Sequence, residues 1–509
     1  MNAPGGSGQG GFQGGSPGRS SSPLRIAIVG GGLSGLAAAH RLVEIAAEQN
    51  RRFEITLFES QSRLGGLVGT ESIAGYQIDL GGDSFITDKP AALNLCLRLG
   101  LKDSLIGMSK NFRGAYILRG KKLCLVPEGV NLMTPSKALP ILTTSLLSVP
   151  GKLRMLGERF VPPRQDESDE SLEAFVVRRF GREAFDRLVQ PLVSGIYTAD
   201  PSKLSIQAAL PRFPADEKQY GSLIRAATVR ALQKRGSPQQ QATGARYGLF
   251  LGLKGGMQEL VDWLLSRIVG QISLRLSTEV TRVEHKTQNE KAAHQSEVVL
   301  HTKGRRPETF DTVILALPAW KSAEVLATDQ ASLSQELSRI EFASSAIVVT
   351  GHQESQIKKP LGAFGLVIPR VERRKILAVS FSHRKFPDRV PPGCALLRTF
   401  VGGALQPELC ELDDQQLQKL VHQELQEILG VEGEPVVSRI VRYPRAMPQF
   451  HLGHRELVAR IRGQLSLTPR IVLAGNSYDG VGIPDTIASG EQAAERIANF
   501  DIKTESPQR

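Results

Sequence analysis

Cysteine is scarce in this sequence, with four residues in 509. Cys96, Cys124, Cys394 and Cys410 stand far apart and never in CxxC spacing, which excludes a disulfide framework and a zinc ribbon. A reducing compartment follows, so the expected location is cytoplasmic. Long apolar runs are missing as well. The longest, ALPILTTSLLSVPG between Lys137 and Lys152, falls short of the roughly 20 residues of a spanning helix, and Pro140 and Pro150 interrupt it. Residues 1–23 lack the apolar stretch of a secretory signal. They are nearly all Gly, Ser, Pro and Gln, and are expected to form a disordered tail. From Lys218 to Lys254 there is no acidic residue, while Arg225, Arg230, Lys234, Arg235 and Arg246 add to a formal charge of +12. No helix-turn-helix, zinc finger or RNA-binding aromatic motif accompanies that charge, so no nucleic-acid partner is expected, and the stretch reads as a solvated helix face followed by the loop RGSPQQQATGA. No Ser-His-Asp set or metal-ligand cluster emerges. His451 and His454 lie three apart, but Gly453 between them favours a turn and two surface histidines.

Glycine, at 50 residues, is plentiful and falls in short clusters between apolar runs, where backbone must approach a ligand. RIAIV (Arg25 to Val29) has strand character, LAAAHRLVEIAAEQ has helical spacing, and FEITLFE is a second strand, which together make a β-α-β unit. Gly30-Gly31-Gly32-Leu33-Ser34-Gly35 fits GxGxxG at the strand-helix junction. Gly30 permits the tight turn, Gly32 the approach of a pyrophosphate, and Gly35 close helix-sheet packing. Glu59 closes the second strand where a ribose-binding carboxylate is expected. The chain is therefore read as α/β, with a dinucleotide domain built from residues 24–89, 241–330 and 451–500. A mainly helical domain at 90–240, with breaks at Pro162, Pro163, Pro211 and Pro214, and a mixed-sheet substrate domain at 331–450 are inserted into it. Residues 501–509 are expected to be a flexible C-terminus.

The glycine-rich turn continues in Arg63-Leu64-Gly65-Gly66, and further segments follow in order: Asp79-Leu80-Gly81-Gly82-Asp83, Ser277 to Val283, and Ala474-Gly475-Asn476-Ser477 through Gly482-Ile483-Pro484-Asp485. This series resembles the amine-oxidase and phytoene-desaturase group of flavoproteins. The resemblance implies a Rossmann-like FAD domain and non-covalent FAD held by Gly30, Gly32, Leu33, Ser34, Gly35, Glu59, Arg63, Gly65, Gly66, Val280, Gly475, Asn476, Gly482 and Ile483. Arg63 would lie by the pyrophosphate.

Within that group, Pro191-Leu192-Val193-Ser194-Gly195-Ile196-Tyr197-Thr198-Ala199-Asp200-Pro201-Ser202-Lys203-Leu204-Ser205, Lys254-Gly255-Gly256-Met257-Gln258, Phe364-Gly365-Leu366-Val367-Ile368-Pro369 and Phe386-Pro387-Asp388-Arg389 resemble the oxygen-dependent protoporphyrinogen and coproporphyrinogen oxidase family. That likeness implies oxidation of protoporphyrinogen IX in haem biosynthesis, with coproporphyrinogen III as the alternative substrate. The same fold would also serve an amine or carotenoid oxidoreductase, or a catalytically silent flavin-binding membrane scaffold. The family likeness further implies that Gly195 offers its carbonyl to pyrrole N–H groups, that Val367 and Phe386 flank the macrocycle, and that Arg113 meets a propionate. Hydride would pass to flavin N5, so no catalytic side chain is required, and molecular oxygen would reoxidise the flavin over roughly three cycles. A homodimer is one further partner to be expected. By position, Leu132 to Phe160 matches the part of the family that touches membranes, which makes the inner face of a membrane a candidate docking surface.

Overall fold

A computed structural model describes residues 23–235, 249–287 and 296–505. The tail at 1–22, the loop at 236–248 that includes Arg246, and the last residues 506–509 lie outside the described residues.

The apolar alternation at the start of the described chain gives strand β1 (Leu24–Val29), helix α1 (Leu33–Glu48) and strand β2 (Phe53–Phe58). β1 is central in a five-stranded parallel sheet ordered Ser273–Arg275, β2, β1, Thr312–Leu315, Ile471–Leu473. Successive residues serve opposite faces. Ile26 and Ile28 pack with α1 and with helices Gln258–Ile268 and Ile483–Glu505, whereas Ala27 and Val29 pack with a three-stranded sheet that begins at Val280–Thr287. Burial on both faces explains why these strands read as continuous apolar runs. The strand order reverses at β1, and open α/β sheets bind ligands in the crevice outside the carboxyl ends of the strands at such a point.

A second sheet has seven strands in the order Val437–Pro448, Phe342–Gln353, Cys394–Gly402, Ala378–Phe381, Gly365–Val367, Tyr116–Arg119, Lys122–Leu125. Its last two strands come from the span expected to be mainly helical, and they join through parallel pairing of Leu366 with Tyr116 and Val367 with Ile117. Val348 faces helix Asp414–Leu429, while its neighbours Ile347 and Val349 face Tyr76 and Ile78 of the hairpin that follows the glycine turns. One side of this sheet thereby packs on that hairpin.

Helices between Leu139 and Arg235 enclose a third core around Phe175, Phe180, Phe185 and Leu188, to which Ile117 and Cys124 also contribute. Pro214 does not break its helix, Arg212–Tyr220. In the first turn its missing N–H has no intrahelical role. No described helix is long and apolar enough to cross a membrane.

Candidate functional site

The crevice at β1 is walled by backbone. Gly30 has φ +107°, a value side-chain-bearing residues rarely adopt, and a Cβ on Gly35 would overlap the Gly30 carbonyl oxygen. Gly32 pairs with Gly65, and the Gly65 N–H donates to Gly31 O at 2.8 Å, so two glycine turns lie side by side. A Cβ on Gly66 would come within 3.1 Å of the Gly32 Cα. Leu33 and Ser34 are buried at the start of α1, and Ser34 lies against Gly490 of helix Ile483–Glu505. Glu59 accepts from the N–H groups of Gly31 and Gln61, both at 2.7 Å. The Thr278 N–H donates to Glu59 O at 2.8 Å, which brings the turn before the buried Val280 to the same end of the sheet. The C-terminal loop completes the wall. The Gly475 N–H donates to Ser489 Oγ at 3.0 Å, partly buried Asn476 follows, and the Gly482 N–H donates to Asp485 at 3.2 Å. Ile483 reaches to 3.1 Å from the Cβ position of Gly82. Uncovered backbone beside a helix start suits a dinucleotide pyrophosphate. Arg63 is occupied by the loop itself, donating to Gly66 O at 2.7 Å, Val68 O at 3.1 Å and Leu64 O at 3.3 Å.

Sequence reasoning missed the ion pairs that hold the Asp79-to-Asp83 turn. Buried Asp79 pairs with buried Arg389 and accepts from the Met257 N–H at 2.9 Å and Thr70 Oγ1 at 2.7 Å. Asp83 takes Arg398 at 2.9 Å and Lys385 at 3.0 Å, and Arg398 also donates to Gly81 O. Burial opposes the charge on Asp83, but Lys385 and Arg398 outweigh it and hold the carboxyl well below the usual carboxylate range. Both acids flank the glycines of one short turn, and Arg389 closes the segment Phe386-Pro387-Asp388-Arg389. Separations of 310 and 315 residues left no local signal that they pair.

Gly195 lies in helix Gln190–Tyr197, directly after the π-helical segment Phe185–Val189. Pro191 lacks the N–H that would close the preceding α-turn, and such widened turns recur at functional sites. The helix stops at Thr198 (φ +47°), whose N–H donates to Ser194 O at 2.9 Å. Among the described residues no backbone N–H donates to Gly195 O, so that carbonyl is open. Val367 stands 3.7 Å from the Cβ position of Gly195. The Phe364 N–H donates to Gly114 O at 3.0 Å and so brings exposed Arg113 to the neighbouring rim. Phe386, expected to flank the macrocycle, is 2% exposed, packs against Gly252, and has the Arg389 guanidinium 5.0 Å from its ring centroid. His454 corrects an expectation, because it is buried, stacked on Phe450 at 4.1 Å and bonded to Tyr478 O at 3.0 Å rather than lying on the surface.

Comparison with known proteins places these features. The chain is 32% identical over 480 residues to the coproporphyrinogen III oxidase of Bacillus subtilis, covering 93% of this chain and 98% of that one. It is 29% identical to protoporphyrinogen oxidase 2 of Arabidopsis thaliana, covering 94% of each. The crystal structure of a candidate protoporphyrinogen oxidase from Exiguobacterium superposes with a TM-score of 0.80 at 29% identity, covering 94% of this chain and 99% of that one. Cyclohexylamine oxidase from Brevibacterium oxydans shares the fold, with a TM-score of 0.65 at 16% identity over 94% of this chain and 100% of that one. The model of the flavin-containing amine oxidoreductases matches residues 33–498. The glycine cradle fits the cofactor of that group, FAD, and the chain belongs to the flavin-containing amine oxidoreductase family.

Proposed function

We propose that this chain is an FAD-dependent oxidase that converts a porphyrinogen to a porphyrin in haem biosynthesis. The single observation that carries the reading is the approach of Val367 Cγ1 to 3.7 Å from the point where a Cβ on Gly195 would stand, which sets an apolar side chain beside an open carbonyl. An open carbonyl accepts pyrrole N–H groups, and an apolar wall packs against a macrocycle face. Gly30 to Gly35, Glu59, Gly65, Gly66 and the Gly475 to Ile483 loop would hold the cofactor. FAD supplies two-electron oxidation when bound and passes the electrons to molecular oxygen. The chain's own contribution is positioning, through a carbonyl that orients the ring nitrogens and ion pairs that fix the turn at Asp79 to Asp83.

Relatives named for protoporphyrinogen and for coproporphyrinogen both match over nearly the whole chain. Coproporphyrinogen III, the more anionic substrate, is favoured by the rim, where Glu128 is the only acid between Lys110 and Arg154 and is itself paired to Lys137 at 2.5 Å. Turnover of each purified porphyrinogen, followed by porphyrin fluorescence and peroxide formation, tests both points. The expected yield is roughly three peroxides per porphyrin, and unchanged porphyrin formation in anaerobic buffer, with no added acceptor and substrate in large excess over enzyme, would overturn the oxidase reading. We further assign a peripheral membrane contact to the surface around Leu139 (69% exposed), Val149 (68%), Leu153 (63%) and Phe160 (80%). Lys152 and Arg159 accompany these side chains, as suits an anionic bilayer. Co-sedimentation with anionic vesicles, lost in a Leu153→Glu, Phe160→Glu variant, checks it.

A further inference from the structure

Beside the cleft lies a second pocket that the proposed reaction does not use. Gln190, Ser194 and Thr198, spaced i, i+4, i+8, line it as one stripe at the end of the helix that carries Gly195. The opposite wall begins at Ile368, the residue after Val367, and continues through Arg370 and Arg373. The pocket encloses about 90 Å³. That is roughly three times the ~30 Å³ share of a liquid water, room for the head of a small oxyanion but not for a macrocycle.

Its charge is one-sided. Arg370 and Arg373 have no ion-pair partner among the described residues, and no carboxylate lines the pocket. Glu372, between them, is turned to Arg187 and to the Gly120 N–H at 3.0 Å, and Arg374 is taken by Glu424 and Glu427, both at 2.7 Å. Two polar atoms of the lining, Thr198 Oγ1 and Gln406 Oε1, are buried without a hydrogen-bond partner. In addition, Thr198 (φ +47°) and Arg373 (φ +53°) both hold the left-handed conformation. Side-chain-bearing residues seldom adopt it, and such strain concentrates where a ligand is clamped.

We propose that this pocket is a binding site for a small oxyanion, a phosphate or carboxylate head group, and that its occupancy is felt at the substrate cleft. The two guanidinium groups neutralise the charge, the Thr198 hydroxyl donates to it, and Gln406 Oε1 accepts from a water or hydroxyl of its shell. The occupant would tie the end of the Gly195 helix to the turn that follows Val367, so the two sides of the cleft move together. The coupling rests on the porphyrinogen reading, whereas the binding does not.

The FAD-loaded enzyme is titrated with inorganic phosphate and, separately, with malonate at constant ionic strength, by calorimetry and by melting temperature. Saturable binding with a raised melting temperature is expected for at least one of them, and which one identifies the head group. Arg370→Gln and Arg373→Gly should each weaken it about tenfold or more. Arg373→Gly also relieves the positive φ, so its melting temperature without anion should be at least that of the wild type, which separates lost binding from lost folding. The bound anion should shift the porphyrinogen KM about fivefold while leaving kcat nearly unchanged. Failure of both anions to saturate at millimolar concentration, or undiminished binding by both variants, overturns the site. An unchanged KM, or simple competition between anion and porphyrinogen, overturns its coupling to the cleft.

Discussion

The proposed flavin cradle and the proposed substrate cleft have walls that differ in kind. In the cradle, backbone faces backbone: a Cβ on Gly35 would overlap the Gly30 carbonyl, and one on Gly65 would sit 2.8 Å from Val68 O. In the cleft, a Cβ on Gly195 would meet only the Val367 Cγ1, at an ordinary contact distance of 3.7 Å. A backbone wall cannot yield without moving a strand, whereas a side-chain wall can be recut one residue at a time. That difference suits a chain whose relatives are named for two different porphyrinogens.

One substitution made on both sides tests the contrast most severely. Gly35→Ala should abolish FAD binding, leaving a colourless protein, because overpacking against fixed backbone costs about 1–3 kcal/mol or more and displaces the turn that must cradle the phosphates. Gly195→Ala should leave FAD content intact and raise the porphyrinogen KM, while stabilising its helix by about 0.5–1 kcal/mol. Flavin absorbance and the denaturant midpoint read both, and a yellow Gly35→Ala protein would remove the distinction.

Breaking the buried Asp79–Arg389 pair should act on stability before it acts on cofactor content. Arg389→Met leaves Asp79 charged and buried, which should cost about 3–5 kcal/mol. The Asp79→Leu, Arg389→Met double variant should recover part of that loss, and a single variant as stable as the wild type would show that the pair does not clamp the turn.

Acid should destabilise the protein through its buried histidines. Burial lowers His352 to about 4, with His422 adding to the effect, and burial with the nearby Arg384 charge lowers His383 to about 4 as well, against 6.5 for the free side chain. The unfolded chain therefore takes up protons below pH 6.5 that the folded protein refuses until about pH 4. Stability should fall across that window as pH falls, and His383→Gln should flatten the dependence. An equally steep dependence in the variant would assign the loss to other groups.

The cradle was legible in the sequence because its requirements are local. Gly30 to Gly35 must be small at fixed spacing after a strand, and Glu59 must end the next strand, whatever the rest of the chain does. The sheet that supports the cleft was less legible. Tyr116 to Leu125 reads as a short hairpin in a helical region, and only its pairing with Gly365–Val367, 250 residues on, makes it part of that sheet. Phe386 shows the same limit, since the sequence marks an aromatic before Pro387 but not that Gly252 leaves space for its ring.

The smallest expected effect belongs to Arg113, on the outer rim. It is exposed and has no ion-pair partner among the described residues, and the nearby Glu128, whose carboxyl its charge helps to lower, is paired to Lys137 first. Its guanidinium is therefore available to a propionate but screened by water, which limits a surface ion pair to about 0.2–1 kcal/mol. A contact of that size exists equally in the bound substrate and in the transition state, so its loss appears in KM and not in kcat. Arg113→Ala should raise KM severalfold at low salt, and the difference from wild type should shrink as ionic strength rises and screens the rim. The effect should be larger for coproporphyrinogen III than for protoporphyrinogen IX, because more propionates reach the rim at once. Equal KM values for variant and wild type with both substrates at low salt would move the role to another cation, with Arg119, exposed at the end of the strand Tyr116–Arg119 that follows Arg113, the first to test.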